Sequence, residues 1–403
     1  MPRDVGTASN FEKYERYLIF TLAFVQVTHI MDFVIMMPLG PQLMRAFSID
    51  AKGFAFLVSS YTFSSGFFGF LGSFVIDRFD RKKALLAAYC GFLIGTFLCA
   101  LSSNYVLLLL ARIFAGAFGG VMNALVFTIV GDVIPLERRG RATGTVMAAF
   151  SISSIAGVPI GLYIASLFDW HAPFFLLVVL GSLNWANIFF KLKPMNRHVN
   201  TDAIDIRKLY GLVSDVNHQR AFLLTGFLVL GAFSVIPFLS PYLVNNAKLP
   251  ESKLPLMYFC GGCATFFTSR LFGRLADKQG MFKTFLRVAL ASTIPLFAIT
   301  RLPPLQTPLI ILVSTLFMVL VSGRYVPAMT LITSCAAKGQ RGSFMSLNNA
   351  VQHLSSGTAT LIAGSLLTTT PSGRLEGFGT VGLFAIGATL LSVLLARKIH
   401  TTN

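Results

Sequence analysis

The chain has 403 residues, of which 54% are hydrophobic and only 12% charged, with 39 phenylalanines and a formal net charge of +17. A soluble protein of this length would carry roughly a quarter charged residues. Mean hydropathy is +0.71, and the apolar residues fall in blocks of about 20 or more, the length that crosses roughly 30 Å of hydrocarbon as helix. This excludes an ordinary soluble domain, and a strand barrel, which would need short alternating segments. The positive charge does not imply nucleic acid, because it lies in short loops between the apolar blocks.

Twelve spans are expected, over 17–39, 51–76, 83–102, 105–131, 141–167, 172–192, 221–246, 254–276, 282–301, 307–334, 342–369 and 376–396. The polar stretch 193–220 reads as a linker. It divides an N-terminal bundle (1–192) from a C-terminal bundle (221–403), so the fold class is an all-helical membrane protein of two pseudo-symmetric six-helix bundles. The first apolar block follows a charged N-terminus and lacks a small-residue cleavage site, so it reads as an uncleaved span. Basic residues crowd alternate loops, about 24 against 6, which places both termini in the cytoplasm.

The first span contains His29-Ile-Met-Asp32, and Asp32 is the sole carboxylate deep in any span. Burial raises a carboxylate's proton affinity and a nearby arginine lowers it. Asp32 is therefore expected to load and release a proton, tuned by His29 and by Arg112 of the fourth span. The rival readings are direct contact with a cationic substrate and permanent neutralisation by an arginine. Arg112, Gly116, Gly119 and Asn123 share one helix face, and a guanidinium at bilayer depth needs a partner or a wet cavity.

A loop signature follows the second span as Asp77-Arg78-Phe-Asp80-Arg81-Lys82-Lys83. It returns about 200 residues later as Gly273-Arg274-Leu-Ala-Asp277-Lys278-Gln-Gly280. A second pair, Arg139-Gly140 and Arg341-Gly342, repeats at a similar offset, which indicates a duplicated bundle. Asp132, at the end of the fourth span, is the expected partner of Arg78 or Arg81; the rival reading is a solvated loop that only sets topology. The fifth span carries Ser153, Gly157, Pro159 and Gly161, small residues four apart with a kinking proline. In the second half, Arg324 lies within the tenth span, and the eleventh places Asn349, Gln352, His353, Ser356 and Thr360 at helical spacing. A polar stripe of this kind faces a cavity or neighbouring helices. Gln26, Asn123, Phe238 and Tyr242 are candidates for the same cavity. Cys260 and Cys263 have CxxC spacing but sit in a span, where packing is the expected role.

These motifs resemble the major facilitator superfamily, most closely its twelve-span drug:proton antiporter branch. The loop signature of that family is G-x-L-A-D-R-x-G-R-K. The second copy follows it through Gly273, Leu275, Ala276, Asp277, Lys278 and Gly280, whereas the first has Ser73 and Asp80 at the glycine positions. The fourth span is similar to the family's R-x-x-x-G. The fifth approximates its G-x-x-x-G-P-x-x-G, with the proline one residue late. The resemblance implies proton-driven export of a small organic molecule by alternating access, with the cytoplasmic loops latching the outward-facing state. It also implies a bacterial inner-membrane location, a monomer, and no cofactor or metal beyond the proton gradient. The alternative is a proton symporter or facilitator for a sugar, organic acid or siderophore-like compound. A sensor or scaffold that has lost transport would typically bring a large soluble domain. An enzyme is not expected, because no nucleophile–base or metal-ligand spacing stands out.

Overall fold

A computed structural model describes residues 5–76, 79–195, 211–336 and 341–400. Twelve long rods cross the molecule. The first half comprises Val5–Ile35, Ala51–Val75, Arg81–Ala100, Tyr105–Val133, Leu136–Leu167 and Ala172–Lys191; the second comprises Val216–Asn245, Leu254–Gln279, Met281–Ile299, Thr307–Ser334, Arg341–Leu366 and Phe378–Ala396. They are called the first to twelfth spans below. The seventh begins at Val216, inside the stretch read as linker, because Asp215 caps it by accepting from the His218 amide at 2.9 Å. Asp50, Asp80 and Asn104 cap the second, third and fourth spans in the same way. Gly280, at φ +91°, ends the eighth span in a conformation that disfavours side chains.

Three spans are interrupted. The fifth contains a π-helical turn, Ser153–Gly157, immediately before Pro159. Proline has no amide hydrogen to continue the helical ladder, and the wider turn absorbs the mismatch. The seventh breaks between Phe233 and Ile236, and the tenth at Arg324. A two-stranded hairpin, Thr368–Thr369 with Leu375–Glu376, joins the last two spans and was not expected from hydropathy.

Among the described residues, ten of the twelve rods are long and apolar enough to cross a membrane. The other two, the eighth and eleventh, carry charged or amide residues. They pack against the fifth and second spans of the opposite half, and the exposed charges of the eighth, Arg270, Arg274, Asp277 and Lys278, lie toward its C-terminal end. The outer surface is apolar: Phe20, Phe190 and Ile294 are 66%, 80% and 74% exposed. That inversion of the soluble pattern is the surface expected against hydrocarbon, and it accounts for much of the phenylalanine content.

Buried apolar side chains form three clusters. The largest lies at the end opposite the termini and draws on both halves, from Ile35, Leu43 and Phe54 to Phe238, Leu243 and Phe378. The other two lie at the terminal end, and each belongs to one half: Leu18, Phe92 and Ile129 in the first, Leu224, Phe285 and Phe344 in the second. The halves therefore share a core at the far end and keep separate cores at the terminal end. Arg45 and Glu251 reinforce the shared end with a two-point ion pair, the Arg45 Nη2 to Glu251 Oε2 distance being 2.9 Å. Ala51 N donates to Thr369 Oγ1 at 3.0 Å across the same seam.

Within the first bundle, the second and fourth spans approach closely at Gly120. A methyl group there would come within 2.1 Å of the Ser65 carbonyl oxygen. Gly120→Leu is expected to destabilise the protein by roughly 1–3 kcal/mol or more through overpacking, seen as a lower melting temperature in detergent. Gly144→Ala, where an added Cβ meets nothing within 4 Å, should leave the melting temperature unchanged or slightly raised.

Candidate functional site

Asp32 and Arg112 meet inside the first bundle, and both are 0% exposed. Arg112 Nη1 donates to Asp32 Oδ2 at 2.8 Å and approaches the Asp32 backbone carbonyl at 3.4 Å. The Thr96 hydroxyl, from the third span, lies 3.1 Å from Asp32 Oδ1 and 3.1 Å from the Phe92 carbonyl, so its one hydrogen serves either. An arginine on one carboxylate oxygen and a hydroxyl by the other suit an ionised acid. On its other side the guanidinium lies over the Tyr61 ring, 4.2 Å from the centroid. Arg112 Nε and Nη2 have no hydrogen-bond partner among the described residues. Gly116, one turn from Arg112, makes room for the Tyr61 backbone, which a Cβ would meet at 2.5 Å.

His29 shares this pocket without bonding to the pair. Its ring lies 5.8 Å from Phe92 and 6.3 Å from Tyr61, and neither ring nitrogen has a partner among the described residues. Tyr61 also stacks on Phe33 at 5.6 Å, and Phe33 on Phe233 of the seventh span at 6.0 Å. A column of rings thus runs from the arginine to the opposite half. Gln26 donates to Asn123 Oδ1 at 2.7 Å, joining the first and fourth spans. His353 faces across the seam, with its Cβ 3.0 Å from where a Cβ on Gly66 would stand. Asn349 and Gln352 on the same span are half-buried.

Other expected site residues stand apart from this cluster. Phe238 is fully buried against Phe54 in the shared far-end core. Tyr242 donates to the Leu302 carbonyl at 3.2 Å and packs on Phe378, also at the far end. Arg324 turns toward Ser292 and Thr389 of the ninth and twelfth spans rather than toward the seam. Sequence reasoning missed Tyr61, Thr96 and Asn348, the last fully buried and accepting from Thr225 at 2.6 Å. The only local signal for Thr96 is a lone threonine in an apolar span, and Tyr61 lies in a Ser-Ser-Tyr-Thr run.

Of the loop residues, Asp77 and Arg78 lie outside the described residues. Arg81 Nε meets Asp132 Oδ2 at 2.8 Å, and Arg81 Nη1 donates to the Ile76 carbonyl at 2.9 Å. Asp80 caps the third span through Lys83 N and accepts from Met195 N at 2.6 Å. These bonds all lie within the first half. In the second copy, Asp277 and Lys278 are exposed at the last turn of the eighth span, and Gly273 faces Val326 at an ordinary 4.0 Å.

The fifth-span motif packs directly on the span that carries Asp32. Ser153 Oγ donates to the Val27 carbonyl at 3.2 Å. A Cβ on Gly157 would stand 2.9 Å from Met31 Sδ, and one on Gly161 would stand 2.8 Å from Ile35 Cδ1. The π turn containing Gly157 also touches the second half, because a Cβ on Gly262 would lie 2.8 Å from the Ser154 carbonyl. Pro159 lies one helical turn beyond that contact. The motif therefore joins the span that carries Asp32 to the seam. All five cysteines are free thiols, Cys260 and Cys263 included.

Residues 22–360 match the family model of the Major Facilitator Superfamily. The chain belongs to the major facilitator superfamily. It is 27% identical over 392 residues to the uncharacterized MFS-type transporter YceJ of Bacillus subtilis (strain 168), covering 96% of each chain. It is 33% identical over 117 residues to Multidrug resistance protein 3 of the same organism, covering 29% of this chain and 22% of that one. Its fold is similar to the crystal structure of a bacterial homologue of the human lysosomal transporter Spinster, inward-facing and unoccupied. That likeness has a TM-score of 0.79 at 14% identity and covers 96% of this chain and 98% of the other. The protein is thus a membrane transporter of this superfamily, and its twelve spans form two six-helix bundles.

Proposed function

We propose that this transporter is a proton-coupled antiporter that exports a small organic molecule from the cytoplasm. The observation that carries the reading is the fully buried Asp32–Arg112 pair with Thr96 at its other oxygen. A carboxylate at that depth is costly, and in transporters it marks an ion or proton pathway. In the proposed cycle, protonation of Asp32 removes the charge that Arg112 binds. The guanidinium, its cation–π contact with Tyr61 and the ring column to Phe233 are then free to shift. Closure at the far end and separate cores at the terminal end make the present arrangement inward-facing, if the termini lie in the cytoplasm as loop charge implies. The motif around Gly157 and the relative named as a multidrug resistance protein support export. The Arg81–Asp132 pair is already formed within the first half in this arrangement, so it would order the loop for a latch that the second half completes, and Gln26, Asn123, Asn349, Gln352 and His353 would supply polar contacts to the substrate. A monomer in a bacterial inner membrane, powered by the proton gradient alone, completes the reading.

The direction of coupling is tested in everted vesicles with an acidified lumen and a luminal pH dye. Adding candidate compounds from outside should alkalinise the lumen when one of them is a substrate, because it enters as protons leave. A symporter would leave the lumen acid or deepen the gradient as its substrate moved. That result would reverse the proposed direction.

The Arg45–Glu251 pair at the far end is exposed on both sides, at 58% and 30%. Such pairs contribute about 0–1 kcal/mol. Glu251→Gln is therefore expected to raise the outward-facing population by at most about five-fold, as read by labelling of a cysteine placed in the far-end seam. A complete switch of state would show the pair to be stronger than its exposure allows.

A further inference from the structure

The two halves treat their buried arginines differently. Arg112 and Arg324 each lie in the fourth span of their half, and both are 0% exposed. Each faces the third span of its half, Arg112 near Thr96 through their shared contact with Asp32, Arg324 bonding Ser292 Oγ from Nη1 at 3.3 Å. Each also faces the first span of its half. There Arg112 finds Asp32, whereas Arg324 finds Gly231, whose added Cβ would stand 3.3 Å from Arg324 Nη2. The second half has kept the cation and the hydroxyl and lacks the acid.

The twelfth span does not replace that acid. Thr389 Oγ1 accepts from Arg324 Nη1, and it stands 2.9 Å from the Cβ position of Gly231. A carboxylate could not be restored at Gly231 without moving Thr389. Arg324 Nε and Nη2 have no partner among the described residues, and no described residue forms an ion pair with this guanidinium. Arginine stays protonated in proteins, and a buried cation without compensating charge is strongly disfavoured. A water molecule would supply an acceptor but no charge. Ser234, one turn from Gly231 on the same helix face, is also fully buried with an unpartnered hydroxyl. Both residues adjoin backbone breaks, Arg324 at the break of the tenth span and Ser234 at that of the seventh. Broken spans are where transporters place ion and substrate groups.

We infer that Arg324 forms a binding site for a small monovalent anion inside the second bundle. The ligand is a halide or the carboxylate of a small organic acid. It supplies the charge that Asp32 supplies to Arg112 and stabilises the second bundle whichever way transport runs.

The test is thermal unfolding of the purified full chain in detergent, with sodium HEPES as the background electrolyte. Sodium chloride and sodium benzoate are titrated separately at constant ionic strength. The wild type should show a saturable rise in melting temperature with at least one of them. A response to chloride alone identifies an inorganic ion, and a response to benzoate alone identifies an organic carboxylate. Arg324→Gln should lose the response and melt higher than the wild type when anion is withheld, whereas Arg324→Lys should retain it. Broadening of the chloride NMR line by the wild type, reversed by benzoate, gives a second measure if the glutamine variant does not fold. No response in the wild type, or an equal response in Arg324→Gln, overturns the site.

Discussion

Asp32→Asn is expected to uncouple transport from the proton gradient while leaving substrate exchange intact. The amide matches the carboxylate in shape and keeps an oxygen for Arg112 Nη1, now 2.8 Å away, so the bundle should fold. It carries no proton to deliver. A gradient equivalent to ~100 mV supplies about 2.3 kcal/mol per charge, so uphill accumulation should fall by about 50-fold at that driving force. Counterflow of labelled against unlabelled substrate should continue at a similar rate. If the variant still accumulates substrate in response to an imposed pH gradient, the proton travels by another group.

Arg112→Ala should be the most destabilising single substitution at the site. It leaves Asp32 at 0% exposure with only Thr96 beside it, and breaking a buried pair from one side costs about 3–5 kcal/mol. It also removes the cation from the face of Tyr61. The double variant Asp32→Asn, Arg112→Ala should recover most of that stability, since neither charge is then stranded, yet remain uncoupled. Thermal unfolding of the four proteins closes the double-mutant cycle. Independent, additive effects of the two substitutions would mean that the pair is not energetically joined.

The fold was legible in the sequence because membrane spans obey one dominant constraint, the length of apolar helix. Boundaries erred where caps and polar starts decide them, as at Val216. The π turn before Pro159 and the terminal hairpin depend on local backbone geometry that hydropathy does not register. Arg112 was legible as a group that could tune Asp32, because a buried ion needs compensation, but the contact between them is not written in the sequence, and His29, named beside it, does not bond to the pair. Tyr61 and Thr96 were missed because a tyrosine and a threonine in an apolar helix carry no sequence mark of which neighbour they face. Phe238 and Tyr242 lie in the far-end core in this arrangement, a placement that residue type alone does not fix. Arg324 was recognised as an intramembrane cation, but the absence of an acid beside it needed the three-dimensional contacts of Gly231 and Thr389.

The central claim is that Asp32 changes protonation as the transporter works. Infrared difference spectroscopy of the purified protein, titrated from neutral to acid pH, reads the carbonyl stretch of a protonated carboxylic acid directly and needs no substrate. The wild type should gain a buried-acid band on acidification, and Asp32→Asn should lack it. Identical difference spectra for the two proteins would contradict the account, leaving Asp32 a fixed structural partner of Arg112.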